Sequence, residues 1–429
     1  MDKLTINNIA IIDDGINEKL YKIGELEHNL QITPELNIQE RASYNPYLPS
    51  HGTICAAIIK KYAPDANLSS VKILNEDSHM GMKSQLIRAL EWCVQNKIRL
   101  VNLSLGTIDF KDFVEVEKAV KYACENDVII IAACNNRNIF TCPASLPYVI
   151  GVKCDISGII KEREYLYNSF SPDGIDITAC GVHKLEKYNG ESKITSACNS
   201  FATPYITSQA YYIIKNNPSI CLNELKELLK KKSQSYTKSL KQYMKISNQQ
   251  IKSNKHNIGS EQSNRKQKLC NFMNKNIDVP IVATYNYCCK KIDVVRNLTE
   301  SFRINGYNAI SISEGSQEDL CNGRVSIKSY LNCKNNSFNE SIQRIFNIYD
   351  PDIIIMQIEM TNVSQEAHWK EIESHLEVDI KIHIYENLNV KVMSGNDEDG
   401  TNVTKTFTYL NAQQIDDLYN YILSLFDIK

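Results

Sequence analysis

Three residues of this chain have the types and settings that nucleophilic acyl transfer requires. Asp13 closes a continuous apolar run, Ile9 to Ile12, and is followed by Asp14 and Gly15. His51 opens the stretch His51-Gly52-Thr53-Ile54-Cys55-Ala56, and Ser200 lies in Asn199-Ser200-Phe201-Ala202-Thr203-Pro204. A serine hydroxyl attacks a carbonyl well only when a neighbouring imidazole takes its proton. That imidazole works best when a carboxylate fixes its tautomer and stabilises the cation that forms. The set reads as nucleophile Ser200, general base His51 and orienting carboxylate Asp13. The other histidines, His28, His79, His183, His256, His368, His375 and His383, show no metal-ligand spacing and read as surface or core residues.

Each of the three needs a rigid support. Ile9 to Ile12 has no polar alternation, as expected for a parallel strand buried on both faces whose carboxyl end delivers a functional side chain. His51 stands at the start of a predicted helix with Ile54, Ala57 and Ile58 as its apolar stripe. Ser200 precedes Pro204 and the apolar positions Ile206, Ala210, Ile213 and Ile214, which puts it at or near a helix N-terminus. Unpaired N–H groups there favour a developing negative charge.

With their surroundings, these residues resemble the subtilisin-like serine proteases, the subtilases. The order Asp, His, Ser is subtilisin's, whereas chymotrypsin-like and α/β-hydrolase enzymes order their triads differently. Ser50 to Leu74 (SHGTICAAIIKKYAPDANLSSVKIL) is similar to the family's catalytic-histidine helix, Ala-Pro turn and following strand. Val101 to Gly106 (VNLSLG) resembles the strand whose Ser-Leu-Gly edge binds substrate backbone, here Ser104, Leu105 and Gly106. Val128 to Asn135 (VIIIAACN) resembles the strand ending in the oxyanion asparagine, and Cys142 to Val152 (CPASLPYVIGV) follows as the family's Tyr-Pro-Ala segment would. The likeness covers about residues 5 to 230.

The resemblance implies an α/β fold with a subtilisin-like doubly wound parallel sheet, and an endopeptidase; no cofactor or catalytic metal is read from the sequence. It implies that the Asn135 amide and the Ser200 N–H hold the oxyanion. Ala132, Ala133 and Thr141 fall at the base and wall of the pocket for the residue before the cut, P1; none is acidic, so a small or apolar P1 is expected. Asp13-Asp14-Gly15 resembles the proprotein-convertase branch, where the second Asp helps receive a basic side chain at P2; the other reading of Asp14 is a turn carboxylate. The chain departs from the pattern at Cys134 (Gly in the family), Cys198-Asn199 (Gly-Thr), Phe201 (Met) and Tyr205 (His). The two thiols read as packing in place of glycine, with a redox role as the second reading. A drifted, catalytically weak module that merely binds a leader peptide or maturation partner is the alternative function, and general intracellular proteolysis is another.

Composition bounds the setting. A chain of 429 residues with 43% hydrophobic content suggests two or three domains with ample core. With 48 basic and 50 acidic residues, no global charge favours nucleic acid or an anionic membrane. The longest apolar runs are of strand length, so no transmembrane helix is expected. The N-terminus enters the first strand almost at once, leaving no room for a signal peptide or prosegment in this reading. Fourteen cysteines without disulfide-like or zinc-like spacing, Cys288 and Cys289 adjacent among them, fit free thiols in a cytoplasm.

The protease-like part is read as residues 1–240, ending after a helix at Leu222 to Lys232. Lys230 to Lys275 holds twelve Lys or Arg against one acid, Glu261, which marks residues 241–278 as a basic polar linker. Residues 279–429 alternate predicted strands and helices: Pro280 to Tyr285, Asp293 to Asn305, Ala309 to Ile312, Ser341 to Tyr349, Asp352 to Glu359, His368 to Leu376, Ile380 to Tyr385 and Ala412 to Phe426. That pattern predicts a second, smaller α/β domain with a mainly parallel sheet. No glycine-rich nucleotide fingerprint is present, and the acidic loop Asn396 to Gly400 reads as an exposed turn ahead of a cation site. This half weakly resembles accessory proteins of bacterial clusters that make modified, bacteriocin-like peptides. Fusion to a protease then implies removal of a leader from a precursor peptide, with peptide-maturation enzymes as possible partners.

Overall fold

The computed structural model describes residues 8–75, 81–169, 171–234, 277–288, 293–315, 318–331, 338–360, 376–387, 389–396, 402–408 and 412–426. The linker 241–278, the helix expected at His368 to Leu376 and the acidic loop at Asn396 to Gly400 lie largely outside the described residues, as does Cys289. The chain divides into two compact units, Met1–Ile258 and Gly259–Lys429.

In the first unit the apolar run becomes β1 (Asn8–Asp13), buried on both faces. It is central in a nine-stranded sheet of order β3-β2-β4-β1-β5-β6-β7-β9-β8. The members are β2 (His28–Ile32), β3 (Ile38–Glu40), β4 (Asn67–Lys72), β5 (Leu100–Leu103), β6 (Ile129–Ala133), β7 (Ile150–Cys154), β8 (Tyr165–Tyr167) and β9 (Ile177–Ala179). Its strands run parallel except β3 and β8, which pair antiparallel at the two edges. Helices α1 (His51–Tyr62), α4 (Asn199–Asn216) and α5 (Leu222–Lys232) bury their apolar faces with Ile9 and Ile11 in one core. Helix α2 (Lys83–Gln95) packs against β1 and α3 (Phe110–Glu125). A small hairpin, β10 (Lys184–Glu186) and β11 (Ser192–Ile194), stands before α4. The expected doubly wound α/β sheet is therefore present, with antiparallel edges that lack long apolar runs.

The second unit contains β12 (Ile281–Asn286), α6 (Val294–Ile304), β13 (Ala309–Ser313), β14 (Arg324–Ser326), α7 (Phe338–Tyr349), β15 (Ile353–Glu359), β16 (Ile380–Ile384), β17 (Asn389–Asn396), β18 (Asn402–Thr408) and α8 (Ala412–Phe426). The sheet order is β14-β13-β15-β12-β16-β17-β18. Strands β12 to β16 pair parallel, as the alternation predicts, but β17 and β18 close the sheet antiparallel. β17 and β18 escaped the sequence reading because Asn, Ser, Gly, Lys and Thr interrupt them, β18 lying at the sheet edge, and so did the three-residue edge strand β14.

Candidate active site

Asp13 ends β1 with its side chain wholly buried, while the His51 side chain keeps 28% exposure. His51 is the first residue of α1, whose N-cap is Ser50: the Ser50 hydroxyl accepts from Thr53 N at 3.1 Å and donates to Gly15 O at 2.8 Å. Gly52 lets this turn close, since a Cβ there would fall 2.7 Å from the Gly15 carbonyl. The ring nitrogen Nδ1 of His51 lies 2.9 and 2.8 Å from the two Asp13 carboxylate oxygens. A carboxylate only accepts, so Nδ1 carries the proton and Nε2 is left as the basic nitrogen. Burial alone would lower the His51 pKa, but the charge and hydrogen bond of Asp13, helped by the charge of Asp14, raise it above the ordinary 6.5. Burial pushes the Asp13 carboxyl above its usual range, with His51 pulling the other way.

Asp14 stands differently from the expectation that it receives a basic substrate side chain. It is 1% exposed, and its oxygens accept from His51 N at 2.9 Å and Gly52 N at 2.8 Å. The carboxylate thus satisfies two orphan donors at the N-terminus of α1, where its charge also meets the positive end of the helix dipole.

Ser200 is the second residue of α4, after N-cap Cys198. Pro204 has no N–H, so the Ser200 carbonyl loses its intrahelical donor. Ser104 Oγ at 3.0 Å and Cys55 Sγ at 3.7 Å take up that carbonyl instead. The Ser200 hydroxyl donates to Ser104 O at 3.3 Å and makes no hydrogen bond with His51 among the described contacts. Hydrogen bonds of this kind in substrate-free serine hydrolases are commonly long and tighten only when substrate binds. The Phe201 ring stacks on His51 with centroids 5.5 Å apart.

A family model described as the subtilase family matches residues 7–267. The chain belongs to the subtilase family. It is a subtilisin-like serine protease. Subtilisin BL from Lederbergia lenta is 29% identical over 222 residues, covering 48% of this chain and 80% of that protein. An alkaline protease from Alkalihalobacillus alcalophilus is 29% identical over 222 residues, covering 48% of this chain but only 57% of its own length. Among solved structures, a lanthipeptide protease aligns with a TM-score of 0.42 at 17% identity, covering 53% of this chain and 80% of that one.

In this subtilase the turn after β6 carries Asn135. Its backbone N–H donates to Thr141 Oγ1 at 3.0 Å, and its side-chain oxygen accepts from Arg137 N at 2.8 Å. With the oxygen so held, the amide nitrogen is the end that can donate to an oxyanion. Thr141 is 2% exposed and its hydroxyl donates to Ile139 O at 2.7 Å, so it braces this turn. Ala132 and Ala133 are buried in β6. Just past β5, Ser104 is buried, Leu105 half-buried and Gly106 exposed, leaving a partly open backbone edge.

Asn199 is the residue whose importance sequence reading missed. Its Oδ1 accepts from Cys154 N at 2.7 Å, its Nδ2 donates to Cys134 O at 3.0 Å and Asn135 O at 2.8 Å, and its N–H donates to Asn136 Oδ1 at 3.1 Å. It ties the helix that carries Ser200 to the Asn135 turn. The available signal was a side chain with both donor and acceptor placed beside the serine. Cys134 is buried against Ile139 O, and burial pushes its thiol to about 11; burial also raises Cys198. Both thiols are thereby poor in thiolate. Asp13, His51 and Cys55 have ligand atoms within 4.8 Å of one another, the one such group among the described residues. Two of these three belong to the hydrogen-bonded pair described above.

Proposed function

We propose that Ser200 attacks a peptide carbonyl while His51 Nε2 takes its proton, Asp13 holds the ring, and the Asn135 amide with the Ser200 N–H receives the oxyanion. The observation that carries this reading is the buried Asp13–His51 contact facing a helix whose second residue is Ser200. We infer further that the substrate is a precursor peptide whose leader is removed in the cytoplasm. The fourteen cysteines without disulfide-like spacing support the compartment. A separate α/β unit in the same chain supports a role in gripping substrate or a maturation partner, which raises the local concentration of peptide near Ser200. No helix among the described residues is long and apolar enough to cross a membrane.

Mixing the purified full chain with a candidate precursor and reading masses tests this. One cut at a single site is the expected outcome, with no degradation of an unrelated unfolded protein. Broad degradation would point to general turnover. Retention of intact precursor without any cut would establish the binding-module alternative.

A further inference from the structure

Helix α1 carries His51 at its first residue and Tyr62 at its last, while the first turn of α4 carries Ser200 and Phe201. Between the two helices lies His183, fully buried and immediately before β10. Its Nε2 is 2.9 Å from Phe201 O, and its Nδ1 is 2.8 Å from the Tyr62 hydroxyl. A carbonyl only accepts, so Nε2 carries a proton and donates it to Phe201 O, while Nδ1 faces the Tyr62 oxygen. The single Tyr62 hydroxyl proton is held between Glu162 Oε1, to which it is donated at 2.6 Å, and His183 Nδ1, and Lys61 pairs with the same carboxylate. The backbone of His183 is pinned as well, its N–H donating to Thr195 Oγ1 at 2.8 Å and its carbonyl accepting from Thr195 N at 3.0 Å. The rings of Tyr62 and Tyr205 pack against the imidazole at 5.5 and 6.4 Å. The imidazole is therefore fixed in position, with its Nε2 proton held on Phe201 O.

We propose that His183 is a positioning residue which bridges the helix of the base and the helix of the nucleophile, and so sets the spacing of His51 and Ser200. The bridge ends on the carbonyl of the residue after Ser200, and the ring of that same residue stacks on His51. A shift at Phe201 thus moves both partners of the proton transfer. Placement at the ångström scale governs such a step, and a misplacement of about 1 Å costs up to about a hundredfold in rate. His183 touches no reacting atom, so its influence falls on kcat and leaves KM in place. This inference rests on the assignment of Ser200 as nucleophile.

The test uses the full chain with a small ester substrate, after Ser200→Ala has been shown to abolish turnover. His183→Phe fills the space without a donor; His183→Gln keeps an amide N–H for Phe201 O. His183→Phe is expected to lower kcat about tenfold with KM within twofold and with the acid limb of the pH profile unmoved. His183→Gln is expected to recover most of that loss. Tyr62→Phe, which removes only a hydroxyl, lowers kcat severalfold in the same way, and it decides the matter if His183→Phe does not fold. Parent-like kcat in folded His183→Phe and Tyr62→Phe, or equal losses in the Phe and Gln variants at 183, overturns the proposal. A parent chain without turnover overturns instead the catalytic reading beneath it.

Discussion

The two sheets of this chain end their central strands in opposite ways. β1, between β4 and β5, finishes in Asp13, and Asp14 follows it; their carboxylates turn to an imidazole and to the open N-terminus of a helix. β12, between β15 and β16, finishes in Asn286, whose Nδ2 donates to Glu359 Oε2 at 2.9 Å, while Gln357 Nε2 donates to Glu359 Oε1 at 2.6 Å. Asn286 Oδ1 meanwhile accepts from Cys288 N at 3.1 Å. Both sheets thus place polar groups at the carboxyl ends of parallel strands, where open α/β sheets bind their ligands. The first sets a titratable ring against a buried carboxylate. In the second the polar groups satisfy one another. Architecture supplies the position, and the partner supplies the chemistry.

Substitutions can break that contrast, and the largest effect is expected at Ser200. Ser200→Ala should lower kcat by about six orders of magnitude, the loss measured for the serine of subtilisin itself, while thermal unfolding stays within about 1 °C of the parent. Undiminished hydrolysis of an ester by the variant would remove the nucleophile from the first sheet's account. Asn135→Ala should cost roughly 10²–10³ in kcat with little change in KM, a magnitude again taken from subtilisin. A rise in KM alone would make the amide a ground-state contact.

Asp14→Asn sharpens the comparison by removing charge from the helix end without removing shape. Loss of one charge-assisted acceptor from two buried N–H groups should cost about 1–3 kcal/mol of stability by denaturant titration. The charge of Asp14 also helps hold the His51 pKa above 6.5. Activity needs the neutral ring, so the rate rises with pH through that raised value, and the variant's acid limb should shift downwards. The effect should be the same for all peptides. Slowing confined to substrates with Lys or Arg at P2 would return Asp14 to a substrate-facing role.

Acid should weaken the first unit through His183. Burial pushes its pKa down to about 4 from 6.5. Protons therefore bind the unfolded chain preferentially: the contribution of His183 is complete above pH 6.5 and is lost as pH falls towards 4, an effect of a few kcal/mol. Lys61 and Glu162 face the same network with opposite charges. Unfolding midpoints of His183→Phe should vary less over that window than those of the parent; an unchanged slope would assign the acid sensitivity elsewhere. The smallest effect belongs to the second sheet. Glu359→Gln should change stability by about 1 kcal/mol and leave ester hydrolysis untouched. A fall in ester hydrolysis in that variant would tie the second sheet's strand ends to the chemistry after all.

Much of the first unit was legible because its signals are local. A continuous run such as Ile9 to Ile12 has few outlets besides a strand buried on both faces. An apolar stripe at helical spacing after His51 fixes the face that α1 buries, and the apolar positions beyond Ser200 do the same for α4. The order and setting of Asp13, His51 and Ser200 follow from those elements. What tertiary structure alone decided is where polar side chains find their partners. Asp14 meets backbone amides 37 and 38 residues away, and nothing in its own neighbourhood distinguishes that from a side chain turned to substrate. Asn199 reaches Asn135 O across 64 residues, and His183 reaches Tyr62 across 121. The antiparallel β17 and β18 were hidden because antiparallel strands need no continuous apolar run. Burial of apolar surface is non-directional and leaves a pattern along the chain. A hydrogen bond depends on two atoms meeting within about 3 Å, and only the packed fold brings them there.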